Sequence, residues 1–140
     1  MTSYGFRLSN DGPLVSWKSR KQPTVALSTC EAEYVSLAAA VQEAKFLFQL
    51  LESILDATRN MFTSITLYCD NQGALALAKN PVQHQRSKHI DIRYHFVRAE
   101  IQKQLLNLVY IASKDNLADI FTKPISGPRM KTFVPLVLGK

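Results

Sequence analysis

Apolar residues recur at alternating steps of three and four through the middle of the chain: Tyr34, Leu37, Val41, Ala44, Phe48, Leu51 and Leu55. That spacing lays one continuous stripe along a helix from Thr29 to Leu55, the best-defined element the sequence predicts. Ser28 followed by Glu31 fits a capping box, in which the hydroxyl accepts an orphan amide and Glu31 reaches back to the cap. Upstream, Ser3–Leu8 and Leu14–Ser19 read as two strands joined by Ser9-Asn10-Asp11-Gly12-Pro13, a strong turn signal. A short third strand is expected around Thr24–Leu27, after the Gln22-Pro23 break.

Downstream, Phe62–Cys69 is apolar and β-branched enough for a buried strand, and it ends on Asp70. Asn71–Lys79 reads as a short helix stopped by Asn80-Pro81, and Val82–Lys88 as a basic polar loop. A further helix is expected over His89–Gln104, with Ile90, Tyr94, Val97, Ile101 and Leu105 on one stripe. Leu106–Ala112 then reads as a strand, and Ser113 as the cap of a last short helix, Lys114–Thr122. The tail Pro128–Lys140 is part basic and part apolar and carries no clear element signal. The order β-β-β-α-β-α-α-β-α predicts an α/β domain with a mixed sheet.

A length of 140 residues corresponds to one domain with a real core, and 46% hydrophobic against 20% charged residues matches a soluble globular protein. No stretch approaches the roughly 18 apolar residues needed to span a bilayer. The N-terminus lacks a charged-then-apolar signal pattern, so an intracellular protein that is not secreted and has no membrane partner is expected. Cys30 and Cys69 lack CxxC spacing and read as structural thiols rather than a zinc site. The net charge of +6 favours polyanionic partners, nucleic acid before acidic membrane surfaces. Lys18, Arg20 and Lys21 cluster, as do Arg86, Lys88, Arg93 and Arg98; both groups suit phosphate contacts, or simply a solvated face.

Three acids stand where a metal site would draw its ligands. Asp70 ends a strand and faces a helix start, the place where α/β folds build sites, although Asp also favours N-caps and turns. Glu33 lies in the first turns of the long helix, and Asp119 in the last short helix, where a solvent-facing position is the alternative. Magnesium takes oxygen ligands and is held by a few carboxylates plus substrate phosphate. Two such ions about 4 Å apart activate a water and stabilise a leaving oxygen. Glu31 already has a structural role in the capping box. Spacing alone leaves open whether these groups meet. His84, His89 and His95 follow no ligand pattern, and no nucleophilic triad or phosphate-cradling glycine loop is present.

Five segments in order carry a family resemblance. They are Ser16-Trp17-Lys18-Ser19-Arg20-Lys21-Gln22, Val25-Ala26-Leu27-Ser28-Thr29-Cys30-Glu31-Ala32-Glu33-Tyr34, Tyr68-Cys69-Asp70-Asn71-Gln72, Lys88-His89-Ile90-Asp91-Ile92-Arg93-Tyr94-His95-Phe96 and Leu117-Ala118-Asp119-Ile120-Phe121-Thr122-Lys123-Pro124. Together they closely resemble the RNase H domain of copia-type retrotransposon Pol polyproteins, over nearly the whole chain. The resemblance implies an RNase H-like mixed five-stranded sheet flanked by helices, over residues 1–125, with 126–140 as a C-terminal tail. It implies a ribonuclease associated with a reverse transcriptase domain, cutting the RNA strand of RNA–DNA hybrids with two Mg²⁺ ions. Carried over, Glu33, Asp70 and Asp119 are the catalytic metal-binding acids, with Glu31 the alternative to Glu33. Lys18, Arg20, Lys21, Arg86, Lys88 and Arg93 are the expected nucleic-acid contacts.

One departure qualifies that expectation. In the family the hairpin follows a central strand bearing a further acid, and here Met1 stands at the start of the hairpin. The resemblance therefore implies that this strand, whose place is between the first hairpin strand and the Asp70 strand, is missing. A weak or inactive isolated chain is expected, with a non-catalytic nucleic-acid-binding or interaction remnant as the alternative. A chain supplying the missing strand joins the expected partners.

Overall fold

The computed structural model describes residues 1–22, 26, 28–55, 64–80 and 88–140 and, over 88–91, the backbone alone. Its first element is a hairpin of β1 (Thr2–Arg7) and β2 (Leu14–Arg20). Thr2, Tyr4 and Phe6 are buried while Ser3, Gly5 and Arg7 are not, the period-two alternation of a strand with one face on a core. The Gly12 amide donates to the Ser9 carbonyl at 3.3 Å to tighten the turn. Phe6 pairs with Ser16 and Arg7 with Leu14, so Val15 is the extra residue of a bulge.

Helix α1 (Thr29–Ile54) follows the predicted stripe. Ser28 Oγ accepts the Glu31 amide at 3.1 Å, which satisfies one of the helix's orphan donors. Tyr34, Leu37, Val41 and Ala44 are buried, whereas Leu47, Phe48 and Leu51 are only half-buried. The helix packs against β1, β3 (Ile65–Cys69), α2 (Gln72–Lys79) and α3 (Lys88–Gln102). Tyr34 stacks on Tyr94 of α3 with ring centroids 3.9 Å apart. Each fully buried large apolar side chain contributes roughly 1.5–3 kcal/mol, so this stripe is the main anchor of the fold.

Strand β3 pairs in parallel with β4 (Leu106–Tyr110), Leu67 opposite Leu108. Several boundaries differ from expectation. Helix α3 stops at Gln102 rather than Gln104, because Gln104 takes φ 58° and turns the chain into β4. Strand β4 ends at Tyr110, not Ala112. In place of one helix under a Ser113 cap there are two 3₁₀ turns, Ser113–Asp115 and Leu117–Phe121. Asn116 sits between them with extended backbone and accepts the Ala118 amide on its side chain, starting the second turn afresh. The tail forms α4 (Gly127–Leu138), with Pro128 in its first turn and Gly139 left-handed at its end. The expected strand at Thr24–Leu27, apart from Ala26, and the basic loop at 82–87 lie outside the described residues.

The described residues thus form a mixed α/β fold with four helices and two separate two-stranded sheets, β1-β2 and β3-β4. The single five-stranded sheet expected from the sequence is not formed among them. Between β1 and β3 runs a cavity of about 1110 Å³, floored by Leu37 and Ala40 of α1.

Candidate functional site

Asp70 follows the last residue of β3 and stands at the rim of this cavity. The cap of α2 is Asn71, whose Oδ1 accepts the Ala74 amide at 2.9 Å. The alternative role of Asp70 as that helix's cap is therefore filled by its neighbour. The start of α2 lies close to the start of α1: a Cβ on Gly73 would stand 3.2 Å from Cys30 Sγ. Only glycine permits that approach without the neighbour giving way, and it brings the first turns of α1 beside Asp70.

Glu33, one turn into α1, is an exposed residue on the same rim. Its carboxyl is pushed above the usual carboxylate range, first by partial burial and then by the charge of Asp70, with a smaller push from Asp119 and an opposing pull from Lys123. Glu31 is not among the residues lining the cavity. Asp119, in the second 3₁₀ turn, is buried at 6% exposure. Its Oδ1 accepts from Lys123 Nζ at 2.9 Å and its Oδ2 from the Arg129 guanidinium at 3.4 Å. The bond to Asp119 holds the Lys123 ammonium above its ordinary value, and Asp70 and Glu33 add to that.

Three elements far apart in sequence thus deliver Glu33, Asp70 and Asp119 to one end of one cavity. Lys123 and Arg129 offset two of the three negative charges. Sequence reasoning did not single out these cations. Lys123 lies four residues after Asp119, a spacing that signals a pair on a turn, whereas Arg129 comes from a tail with no element signal.

The acids as arranged do not make a metal centre. Among the described residues no group of three or more His, Cys, Asp and Glu stands close enough to hold an ion. Asp119 spends both oxygens on the two cations. The Mg²⁺ pair expected from the sequence does not fit this donor set as it is arranged.

The basic residues separate into two sets. Lys18, Arg20 and Lys21 line a second, shallower groove of about 380 Å³ together with Arg93, on the opposite side of α1. Trp17, at 63% exposure, precedes Lys18 on the outer strand of the hairpin. Arg98 turns inward, donating to the carbonyls of Leu77 and Asn80 at 3.3 and 2.9 Å. Arg86 lies outside the described residues, as does the side chain of Lys88.

Comparison with known proteins finds relatives that match over most of the chain. The chain is 42% identical over 120 residues to the retrovirus-related Pol polyprotein from transposon RE1 of Arabidopsis thaliana, covering 85% of this chain and 8% of that protein. It is 40% identical over 119 residues to the corresponding polyprotein from transposon RE2 of the same plant, covering 85% and 8%. It is 36% identical over 130 residues to the retrovirus-related Pol polyprotein from transposon TNT 1-94 of Nicotiana tabacum, covering 93% and 9%. No family model and no solved structure matches the chain. The relatives over most of this chain are therefore retrotransposon Pol polyproteins, of whose length it spans less than a tenth.

Proposed function

We propose that this retrotransposon-derived region is an RNase H-like domain of a copia-type Pol polyprotein, directed at the RNA strand of RNA–DNA hybrids and catalytically weak as it stands. The observation that carries the reading is the meeting of Glu33, Asp70 and Asp119, each from a different one of the five motifs, at one end of one cavity. The weakness follows from the same place. Three acids share a site with two cations, and a metal-dependent nuclease needs donors free to bind its ions. The partners that go with this reading are the hybrid itself and a reverse transcriptase domain, in an intracellular setting.

The test is Mg²⁺-dependent cleavage of an end-labelled hybrid. The chain is expected to cut at or near background. Robust cleavage that disappears in Asp70→Asn would overturn the claim of weakness while upholding the site.

A second reading, binding of nucleic acid without cleavage, is supported by the groove that gathers Lys18, Arg20, Lys21 and Arg93. Phosphate contacts release counterions, so four cations predict a slope of log K against log salt of about −3 to −4. Fluorescence polarisation of a labelled hybrid at several salt concentrations measures it. A slope near zero would remove the groove from consideration.

A further inference from the structure

We propose that α4 is an autoinhibitory strap: through Arg129 it keeps the Asp119 carboxylate closed to a divalent cation, and release of the helix opens it. The proposal rests on the reading of Glu33, Asp70 and Asp119 as the working site. The mismatch between these acids and a metal ion then describes a closed state, set by one helix.

The two cations on Asp119 are held differently. Lys123 lies four residues further along the chain, with its side chain 58% exposed. An exposed ammonium on a flexible stem exchanges its partner for water at little cost. Arg129 is 29% exposed and is fixed from three directions. Its guanidinium donates to the Ser113 carbonyl at 2.6 Å and to Asp119 Oδ2 at 3.4 Å, and it lies 4.8 Å from the centre of the Phe133 ring. Phe133 stands one turn further along α4 and is the side chain that this helix buries. Lys123 can leave Asp119 by turning its own side chain. Arg129 leaves only when α4 moves with it.

Helix α4 is lightly attached. It packs mainly on the 3₁₀ turn Leu117–Phe121, and Met130, Val134, Leu136 and Leu138 are all exposed. Pro135, inside the helix, removes one backbone donor from its ladder. The far end rests against the hairpin turn, where a Cβ on Gly139 would stand 2.6 Å from the Pro13 nitrogen. Arg7 adds a long bond of 3.5 Å to the Leu136 carbonyl. Elements with few buried contacts are the ones that open first.

Opening changes the charge of the site and its donors together. Three carboxylates against Lys123 and Arg129 leave a formal net charge of −1, and without Arg129 it is −2. The same step releases Asp119 Oδ2 at the cavity wall. A hard divalent cation needs oxygen donors and negative charge at once. The strap withholds both.

The probe is Mn²⁺ added to the full chain, with the unbound ion read by electron paramagnetic resonance. Arg129→Met is expected to bind Mn²⁺ at least about tenfold more tightly than the wild type, within the roughly 5–150-fold range of such couplings. Lys123 still pairs with Asp119 in that variant, so the fold is kept. Arg129→Lys should return the affinity towards the wild-type value. Phe133→Ala leaves every charge in place and loosens α4 alone, and it should also tighten binding. Asp119→Asn added to Arg129→Met should abolish the gain. Unchanged or weaker binding by Arg129→Met, a gain that survives Asp119→Asn, or no gain in Phe133→Ala would each overturn the proposal. Tighter Mn²⁺ binding by Arg129→Met without any cleavage of hybrid would uphold the strap and count against the nuclease reading alone.

Discussion

Asp119 is a buried carboxylate that keeps two cations from different elements, Lys123 at its own turn and Arg129 from α4. Taking a carboxylate out of water is tolerable only while its oxygens are paired. Either cation alone still partners it, so Lys123→Met and Arg129→Met should each be mild. The double variant should cost about 0.5–3 kcal/mol more than the sum of the two, as coupled partners of one group do; urea unfolding of the four proteins measures it. Tyr4 offers a test by pH. Burial pushes its phenol up to about 12, helped by the charge of Glu43 and by the bond it donates to Glu43 Oε2 at 3.3 Å. A raised acid contributes stability that is complete below its ordinary value near 10 and is lost as pH rises through the folded value. The chain is therefore expected to lose stability between pH 10 and 12, and Tyr4→Phe to lose less over the same window, by thermal melts. At this scale Asp70 and Glu33 stood out because one ends a strand and the other begins a helix, whereas Asp119, inside a turn that reads in the sequence as a helix, stood out from a solvent-facing residue only through the family resemblance. The cations did not stand out, because Arg129 reaches Asp119 from a segment whose position no local pattern fixes.

Helix α1 was read correctly almost to the residue, since its apolar period repeats over seven positions and one side chain caps it. The physical content of that pattern is unequal along its length. Leu37, at 5% exposure, lies in the core, while Phe46 is 57% exposed on the opposite face. Leu37→Ala is expected to cost about 2–5 kcal/mol and Phe46→Ala to stay within about 0.5 kcal/mol, both by denaturant titration. Ser28→Ala should cost about 0.5–2 kcal/mol through the lost cap. The elements misjudged, or in the tail left unassigned, share another feature. Gln104 turns left-handed without being glycine, Asn116 restarts a turn in mid-segment, and Pro135 sits inside a helix rather than ending one. Each is a local exception held in place by neighbours, and composition alone does not announce it.

Sheet pairing was the least legible level, because it joins segments from opposite ends of the chain and depends on what else is present to pair with. The strands themselves were visible in the sequence, and a break between β1 and β3 was what the family resemblance led one to expect; the parallel pairing of β3 with β4 was fixed by no local pattern. Helix α1 joins both halves, packing on β1 of the hairpin and on β3, α2 and α3. A molecule joined across its middle by side-chain packing, without a continuous ladder, has a weak seam in its cooperativity. Differential scanning calorimetry should then show a van't Hoff enthalpy below the calorimetric one, the sign of two units melting in part independently. The chain would thus behave as a loose pair of modules, each able to open while the other stays shut.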